Sequence, residues 1–315
     1  MARIRAFEAT AEKLFLAGSL PGFIHVSIGQ EAVATGVCAA LRTSDYMTTT
    51  HRGHGHTLAK GAPVDGMVAE LFGREDGICR GRGGSMHIAD FTVGMLGANA
   101  IVAGGIGIAV GAALTASMRD SDQVAVTFFG DGATARGPFA ESLNLAQLWG
   151  LPVVFVCENN GWASTTRASE ALAQPQVARR AEAMGMRAVV VDGNDVFAVR
   201  EAATTAVDLA RAGSGPVFLE AHTHRWRGHF VGDPAGYYDP DEVTRWRTQD
   251  PLERAGARLL NAGQLDAAAR AEIDSAARTE VDTAVERARA AAEPDPARVA
   301  DHLFADNLST VGGDR

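Results

Sequence analysis

Four short apolar runs, each followed by a polar loop, constrain the fold of this chain more than any other feature. They are VAVTFF (124–129), PVVFVC (152–157), AVVV (188–191) and PVFLEA (216–221). Mainly apolar runs of this length are typical of strands that are covered on both faces. Helical patterns at 139–149 and 196–213 alternate with the runs, and this alternation predicts parallel strands joined by helices. We therefore predict an α/β fold, a mostly parallel sheet with helices on both faces.

The polar residues that follow two of these runs indicate a ligand site. Asp131 follows the first run, between two glycines, and Asn160 follows the second. One helix separates the two strands, so their loops should leave the same carboxyl edge, where open α/β sheets bind ligands. A carboxylate and an amide oxygen suit Mg²⁺ or Ca²⁺ in a shell completed by water and phosphate. Asp-Gly and Asn-Gly turns are common in loops, but their pairing across one βαβ unit favours a metal-bound diphosphate.

Two glycine-rich segments without clear periodicity carry many of the histidines. Residues 45–62 contain a strand-like TTT and then His51, Arg52, His54 and His56, and residues 73–97 contain RGRGGSMHIAD. We expect the histidines to lie on ordered loops, which often serve function in enzymes. A zinc site is the alternative, although histidines spaced among glycines lack the fixed i, i+4 helical face of a metalloprotease.

Composition argues against several classes of function. Lys and Arg total 29 and Asp and Glu total 38, and the net charge of −9 disfavours nucleic acid and anionic membranes as partners. Three distant cysteines without a CxxC pair disfavour a disulfide framework and are typical of the cytoplasm. No signal-peptide pattern opens the sequence. Residues 100–118 are apolar enough to suggest a membrane span, but their many glycines favour a closely packed buried helix.

The C-terminal part of the chain differs in composition from the rest. Residues 251–292 are rich in Ala, Arg and Glu with apolar residues at helical spacing, and Pro294 ends the pattern. We therefore predict an α/β domain over residues 1–250 and a helical C-terminal extension over residues 251–315. The extension should pack on the sheet or on another chain.

Taken together, the motifs resemble one enzyme family. GDG, followed after 26 residues by NN, resembles the diphosphate-binding motif of thiamine diphosphate enzymes. Five segments are similar to the alpha subunit of 2-oxo acid dehydrogenases, the decarboxylating components of pyruvate, acetoin and branched-chain 2-oxo acid dehydrogenase complexes: residues 22–37, 51–61, 81–90, 128–160 and 225–234. The resemblance covers most of residues 3–255. It implies oxidative decarboxylation of a 2-oxo acid such as pyruvate, or cleavage of acetoin, with acyl transfer to a lipoyl group.

The resemblance also implies roles for particular residues. Asp131 and Asn160 should bind Mg²⁺ through their side chains, and Trp162 through its backbone carbonyl. Arg52 should contact the diphosphate of thiamine diphosphate, a role that suits its permanently charged fork. The other implied cofactor contacts are Gly132 and Ala133 at the diphosphate, Ala100 and Val102 at the aminopyrimidine, and His51 and His229. His25 and His229 match histidines of the reaction centre, and His229 should lie on a loop that can close over substrate.

The resemblance implies that the site is incomplete in this chain. In the family, a beta subunit supplies the glutamate that protonates the aminopyrimidine, and nothing in the 315 residues resembles that subunit. The implied assembly is an α₂β₂ heterotetramer that passes its acyl group to a lipoyl acyltransferase. His51 stands where the family often has tyrosine, which leaves open a catalytically inactive alpha homologue that acts in assembly or regulation. A nicotinamide dehydrogenase is disfavoured, because no GxGxxG follows a strand with an acidic residue about twenty positions on.

Overall fold

Six parallel strands form the main sheet in the computed structural model, which describes residues 1–301. Their order across the sheet is β2-β1-β3-β4-β8-β7. The strands are β1 (Tyr46–Thr50), β2 (Met95–Asn99), β3 (Ala125–Gly130), β4 (Val153–Asn159), β7 (Arg187–Asp192) and β8 (Val217–His222), and a separate antiparallel pair consists of β5 (Trp162–Ala163) and β6 (Thr166–Arg167). The predicted parallel sheet is therefore confirmed.

The two strands that precede Asp131 and Asn160 are direct neighbours, as predicted. Gly130 at the end of β3 pairs with Glu158 in β4. Alternate residues of β3 lie in two different cores, with Val126 and Phe128 on one face of the sheet and Ala125 and Phe129 on the other. Both faces are thus covered by helices, which explains why these strands are apolar throughout.

Helices pack on both faces of this sheet. The α-helices within residues 1–301 are α1 (Ala2–Leu16), α2 (Glu31–Cys38), α3 (His54–Lys60), α4 (Val64–Leu71), α5 (Gly104–Met118), α6 (Gly137–Trp149), α7 (Ala168–Ala171), α8 (Val177–Glu182), α9 (Val196–Arg211), α10 (Pro240–Arg247), α11 (Pro251–Asn261) and α12 (Ala267–Ala290). Helices α1 to α4, α9 and α12 contribute to one core, and α5, α6 and α8 contribute to the other. No helix within residues 1–301 is both long and apolar enough to cross a membrane.

One local prediction was wrong and another was right only in part. His54 and His56 lie in helix α3 rather than in a loop, because packing against α1 and α2 stabilises a helix that its glycine disfavours. The apolar stretch 100–118 is only partly a buried helix. It becomes helical at Gly104, and Ile108 and Met118 on α5 are exposed.

The C-terminal region is helical, as expected, over the part that the structure describes. A break at residues 262–266 separates α11 from α12. Helix α12 packs against α1 and α4, and Val281, Ala284 and Ala288 are buried there. A domain boundary at residue 250 stays a prediction, and the portion of the predicted extension after residue 301 lies outside the described residues.

Candidate active site

A cavity of about 580 Å³ lies at the carboxyl edge of the sheet, where β1, β2, β3 and β4 end. Its volume is within the range of small-molecule and cofactor sites. Nine of the candidate residues line it: His51, Arg52, Ala100, Val102, Gly132, Ala133, Asn160, Trp162 and His229. The other two are buried beside it, Asp131 next to Gly132 and His25 against two histidine rings. The fold therefore brings all the candidate residues into one region.

Asp131 is a buried carboxylate without a partner. It follows β3 directly, has no exposed surface, and neither carboxylate oxygen accepts a hydrogen bond from residues 1–301. Burial raises the pKa of this carboxyl to about 6, and the backbone N–H groups of Asn160 and Trp162 partly oppose that rise without reaching hydrogen-bond geometry. Since an unpaired buried carboxylate is costly and oxygen ligands suit hard cations, Asp131 fits a divalent metal ion.

The Asn160 amide on the cavity wall is held in a defined orientation. Its Nδ2 donates to Oε1 of Gln30 at 3.0 Å, and its Oδ1 accepts from the backbone N–H of Trp162 at 3.2 Å. The carbonyl oxygen keeps a second lone pair for another ligand. A Cβ atom on Gly132 would lie only 2.6 Å from Cβ of Ala163, so the turn after β3 packs against β5 as closely as glycine allows.

Arg52 connects two segments of the site through backbone carbonyls. Its Nη1 donates to the carbonyl of Val26 at 2.7 Å and its Nη2 to the carbonyl of His229 at 2.8 Å. Burial, together with the nearby charge of Arg225, lowers the pKa of Arg52 to about 10, so the guanidinium is charged at neutral pH. Because a guanidinium has five N–H donors, these two bonds leave others for an anion in the cavity.

His25, His51 and His229 form one cluster of rings. The centroid of the His25 ring lies 4.7 Å from that of His51 and 5.2 Å from that of His229, and the last two lie 5.4 Å apart. Burial and the positive charge of Arg52 lower their pKa values to about 3 for His25, 2 for His51 and 4 for His229. All three imidazoles are therefore neutral at pH 7, able to donate and accept hydrogen bonds but not to supply positive charge.

The backbone of His229 makes hydrogen bonds on both sides of its peptide unit. The backbone N–H of His229 donates to Oδ2 of Asp233 at 2.6 Å and to the hydroxyl of Tyr237 at 3.0 Å. Because the His229 carbonyl also accepts a hydrogen bond from Arg52, both backbone groups of His229 are held in this structure. Closure of the loop over substrate stays a prediction.

Sequence reasoning did not include Arg225 and Glu158 among the site residues. Arg225 lines the cavity and donates through Nε to the Tyr238 hydroxyl at 2.5 Å. Glu158 also lines it, 3.2 Å from Nε2 of His56. An acidic residue at the end of an otherwise apolar strand was the available signal for Glu158, whereas the contacts of Arg225 depend on distant parts of the chain.

Known proteins match this chain over nearly all of its length. The model of the family "Dehydrogenase E1 component" matches residues 1–297. This chain is 53% identical to the alpha subunit of acetoin:2,6-dichlorophenolindophenol oxidoreductase from Bacillus subtilis. The match covers 77% of this chain and 73% of the relative. It is 43% identical to the subunit of the same name from Cupriavidus necator, over 94% of this chain and 89% of the relative. The pyruvate dehydrogenase E1 component subunit alpha of Porphyra purpurea is 40% identical, over 96% and 90%. The chain thus belongs to the dehydrogenase E1 component family, as an alpha-type chain of the thiamine diphosphate-dependent dehydrogenases.

Proposed function

We propose that this chain is the alpha subunit of an enzyme that cleaves acetoin and transfers the acetyl group to a lipoyl acceptor. The observation that carries the choice of acetoin is the 53% identity to a relative named for that substrate, against 43% to one named for pyruvate. Pyruvate is the second candidate, because relatives named for it match up to 96% of the chain. The names of these relatives favour an active enzyme over an inactive homologue.

In this proposal, Asp131 and Asn160 hold Mg²⁺ through side-chain oxygens, and Trp162 through its carbonyl. The support is the buried Asp131 carboxylate, whose two oxygens lack partners, and the oriented Asn160 amide. Oxygen ligands from so few protein groups suit Mg²⁺, which usually keeps water and phosphate in its shell. Gly132 and Ala133 would lie along the diphosphate, with Arg52 neutralising its charge.

The rest of the cavity would hold the organic part of the cofactor and the substrate. Ala100 and Val102 lie on the wall that would face the aminopyrimidine. Thiamine diphosphate, when bound, supplies the nucleophilic carbon and the electron sink for breaking a carbon–carbon bond beside a carbonyl. Neutral His25 and His229 would then donate a hydrogen bond to the substrate carbonyl or accept the proton of its hydroxyl.

A beta subunit would complete this site. Ile101 and Val102, on the cavity wall, are 71% and 49% exposed. Helices α5 and α6, which contact each other, carry further exposed apolar side chains, which we call the α5–α6 surface: Ile108, Met118, Leu145, Leu148 and Trp149. Apolar patches beside a ligand site are typical of protein interfaces. We propose that the beta subunit covers this surface in an α₂β₂ heterotetramer, which delivers its product to a lipoyl acyltransferase in the cytoplasm.

Reconstitution tests both the activity and the need for a partner. The full chain, its cognate beta chain and their mixture are assayed with acetoin, pyruvate and a branched-chain 2-oxo acid, with dichlorophenolindophenol as electron acceptor. We expect activity only in the mixture and highest with acetoin. Faster turnover of pyruvate would make the acetoin assignment wrong, and a mixture that binds thiamine diphosphate but turns over no substrate would favour the inactive homologue.

The beta-binding surface has its own test. Leu148→Glu on α6 should weaken binding of the beta chain more than about tenfold, because it places a charge in an apolar interface. Ile273→Glu on α12 is the control, since Ile273 is likewise an exposed apolar side chain (51%, against 71% for Leu148) but lies on a different helix. Equal weakening by the two variants, or by neither, would contradict the placement of the beta subunit.

A further inference from the structure

Three histidines from separate segments bring possible ligand atoms close together. His25, His51 and His229 each have a ring nitrogen that lies within 4.8 Å of a ring nitrogen of each of the other two. Within residues 1–301 this is the only such group of three or more His, Cys, Asp or Glu side chains. None of its members belongs to the proposed Mg²⁺ site at Asp131 and Asn160.

We propose that His25, His51 and His229 form a site for a first-row transition metal ion of the Zn²⁺ class. Imidazole nitrogen suits Zn²⁺, Cu²⁺ and Ni²⁺, whereas Mg²⁺ prefers oxygen. A tetrahedral zinc ion with bonds of about 2.0–2.1 Å holds its nitrogen ligands roughly 3.3 Å apart. Each ring therefore has to move by less than about 1 Å, which small side-chain rotations can supply.

Two further observations support ligand binding at this cluster. His25 is only 7% exposed, and its Nδ1 is buried without a hydrogen-bond partner among the described residues. Arg52 binds the carbonyls of Val26 and His229, so it holds the backbones that carry two of the three histidines in place. His51 and His229 also line the open cavity, which leaves room for a fourth ligand such as water.

Two guanidinium groups determine which ions can bind. Arg52 is bonded to the His229 carbonyl, and Nη1 of Arg225 lies 3.4 Å from Nδ1 of His229. Their positive charge opposes any cation, so only ions with a strong preference for imidazole should overcome it. Affinity should therefore follow the order Cu²⁺ above Zn²⁺ above Co²⁺, with moderate and reversible binding.

Occupancy of this site would have a consequence for activity. His25 and His229 would be coordinated and no longer able to exchange protons or hydrogen bonds with a substrate. Zn²⁺ should thus inhibit reversibly, and a chelator should restore turnover. This consequence rests on the proposed function, whereas the metal site itself does not.

Binding can be measured without any enzyme assay. The untagged full chain is titrated with Co²⁺ in excess Mg²⁺, and the visible ligand-field absorption is recorded, followed by displacement with Zn²⁺. We expect one Co²⁺ per chain. His51→Tyr or His229→Ala should weaken its binding by more than about tenfold, because loss of a ligand should reduce metal affinity at least as much as loss of a residue that only supports a ligand. The two variants are independent, so a folding defect in one, checked by circular dichroism, leaves the other informative.

Two controls separate this site from other ligands in the chain. His87→Ala removes an exposed histidine and should leave Co²⁺ binding unchanged. Asp131→Asn should also leave it unchanged, because Asp131 belongs to the oxygen site. The proposal is overturned if wild type shows no such absorption, if the His51 and His229 variants bind as wild type does, or if either control or excess Mg²⁺ abolishes the signal.

Discussion

Nδ1 of His54 lies 2.9 Å from Oε2 of Glu8, and both side chains are completely buried. The other Glu8 oxygen accepts from the backbone N–H of Ser27 at 3.0 Å and from its hydroxyl at 2.7 Å. Nε2 of His54 lies 2.8 Å from the hydroxyl of Ser85. Helix α1 is thereby joined to the segment that precedes α2 and to the glycine-rich loop. A pair whose members do not line the cavity therefore holds two of the segments around it.

Removal of Glu8 should destabilise the protein strongly. Glu8→Ala leaves His54 and the Ser27 N–H without a buried acceptor, and breaking such a pair costs about 3–5 kcal/mol. Glu280→Ala is the control, because its ion pair with Arg3 is exposed and should contribute less than about 1 kcal/mol. Urea denaturation measures both, and similar losses in the two variants would contradict the role given to Glu8.

The same carboxylate predicts a dependence of stability on pH. Burial alone would raise the pKa of Glu8, but attraction to His54 and hydrogen bonds from His54 and Ser27 hold it below its ordinary value of 4.5. A lowered pKa means that the stabilisation is present above that value and lost as the pH falls through the acid range. Glu8→Ala should therefore differ less from wild type in strong acid than at pH 7.

Asp131 should have the opposite effect in the metal-free protein. Its pKa is raised from 3.8 to about 6, so between these values the folded chain keeps a proton that the unfolded chain has lost, and stability falls as the pH rises. Asp131→Asn should be more stable than wild type by up to about 3 kcal/mol above pH 6 and similar to it below pH 4. Denaturation across this range tests the expectation. A variant less stable than wild type at pH 7 would show that the carboxylate has a partner.

Addition of the ligands should make wild type more stable than Asp131→Asn. Mg²⁺ with thiamine diphosphate should raise the melting temperature of wild type, since a ligand that binds only the folded state stabilises it. The same addition should leave Asp131→Asn unchanged. An equal rise in both proteins would make the metal assignment of Asp131 wrong.

The central sheet could be predicted from the sequence because β3, β4, β7 and β8 depend on local patterns. Apolar runs and the turns after them are visible without any knowledge of the partner strands. That β3 and β4 are neighbours followed from the single helix between them, and this placed Asp131 and Asn160 at one edge. Strands β1 and β2 are short and less apolar, so their place at the side of the sheet depends on pairing with residues far along the chain.

The histidine cluster could not be predicted, because it too depends on contacts between residues far apart in the chain. His25, His51 and His229 belong to three segments with no local pattern in common. Tertiary contacts bring them together, among them the bonds of Arg52 to Val26 and His229 and the backbone hydrogen bond from Val231 to Ile24. The resemblance to a family supplied His25 and His229 as reaction-centre residues but did not indicate that His51 would touch both rings. Helix α3 was likewise missed, since its stability comes from packing rather than propensity.

Gly132 should not tolerate a side chain. A Cβ atom there would lie 2.6 Å from Cβ of Ala163, so Gly132→Ala should cost about 1–3 kcal/mol through overpacking and weaken binding of thiamine diphosphate. Ala163→Gly in the same chain removes the nearest atom and should recover part of the stability. Gly130→Ala is the matched control, because its new Cβ would meet nothing closer than 4.0 Å. Equal costs at the two glycines, or no recovery in the double variant, would contradict this account.

The imidazole of His229 should matter for turnover more than for binding. Because Arg52, Asp233 and Tyr237 hold the backbone of His229, truncation of the ring should leave the loop in place. His229→Ala should then lower kcat by roughly 100-fold or more, the range of a lost proton-transfer group, while the Kd for thiamine diphosphate changes by less than about threefold. His87→Ala, at an exposed histidine, should change neither quantity. Steady-state assays of the reconstituted complex, paired with calorimetric titration of the cofactor, measure both. Equal losses in kcat and in cofactor affinity would identify His229 as a binding residue that takes no part in proton transfer.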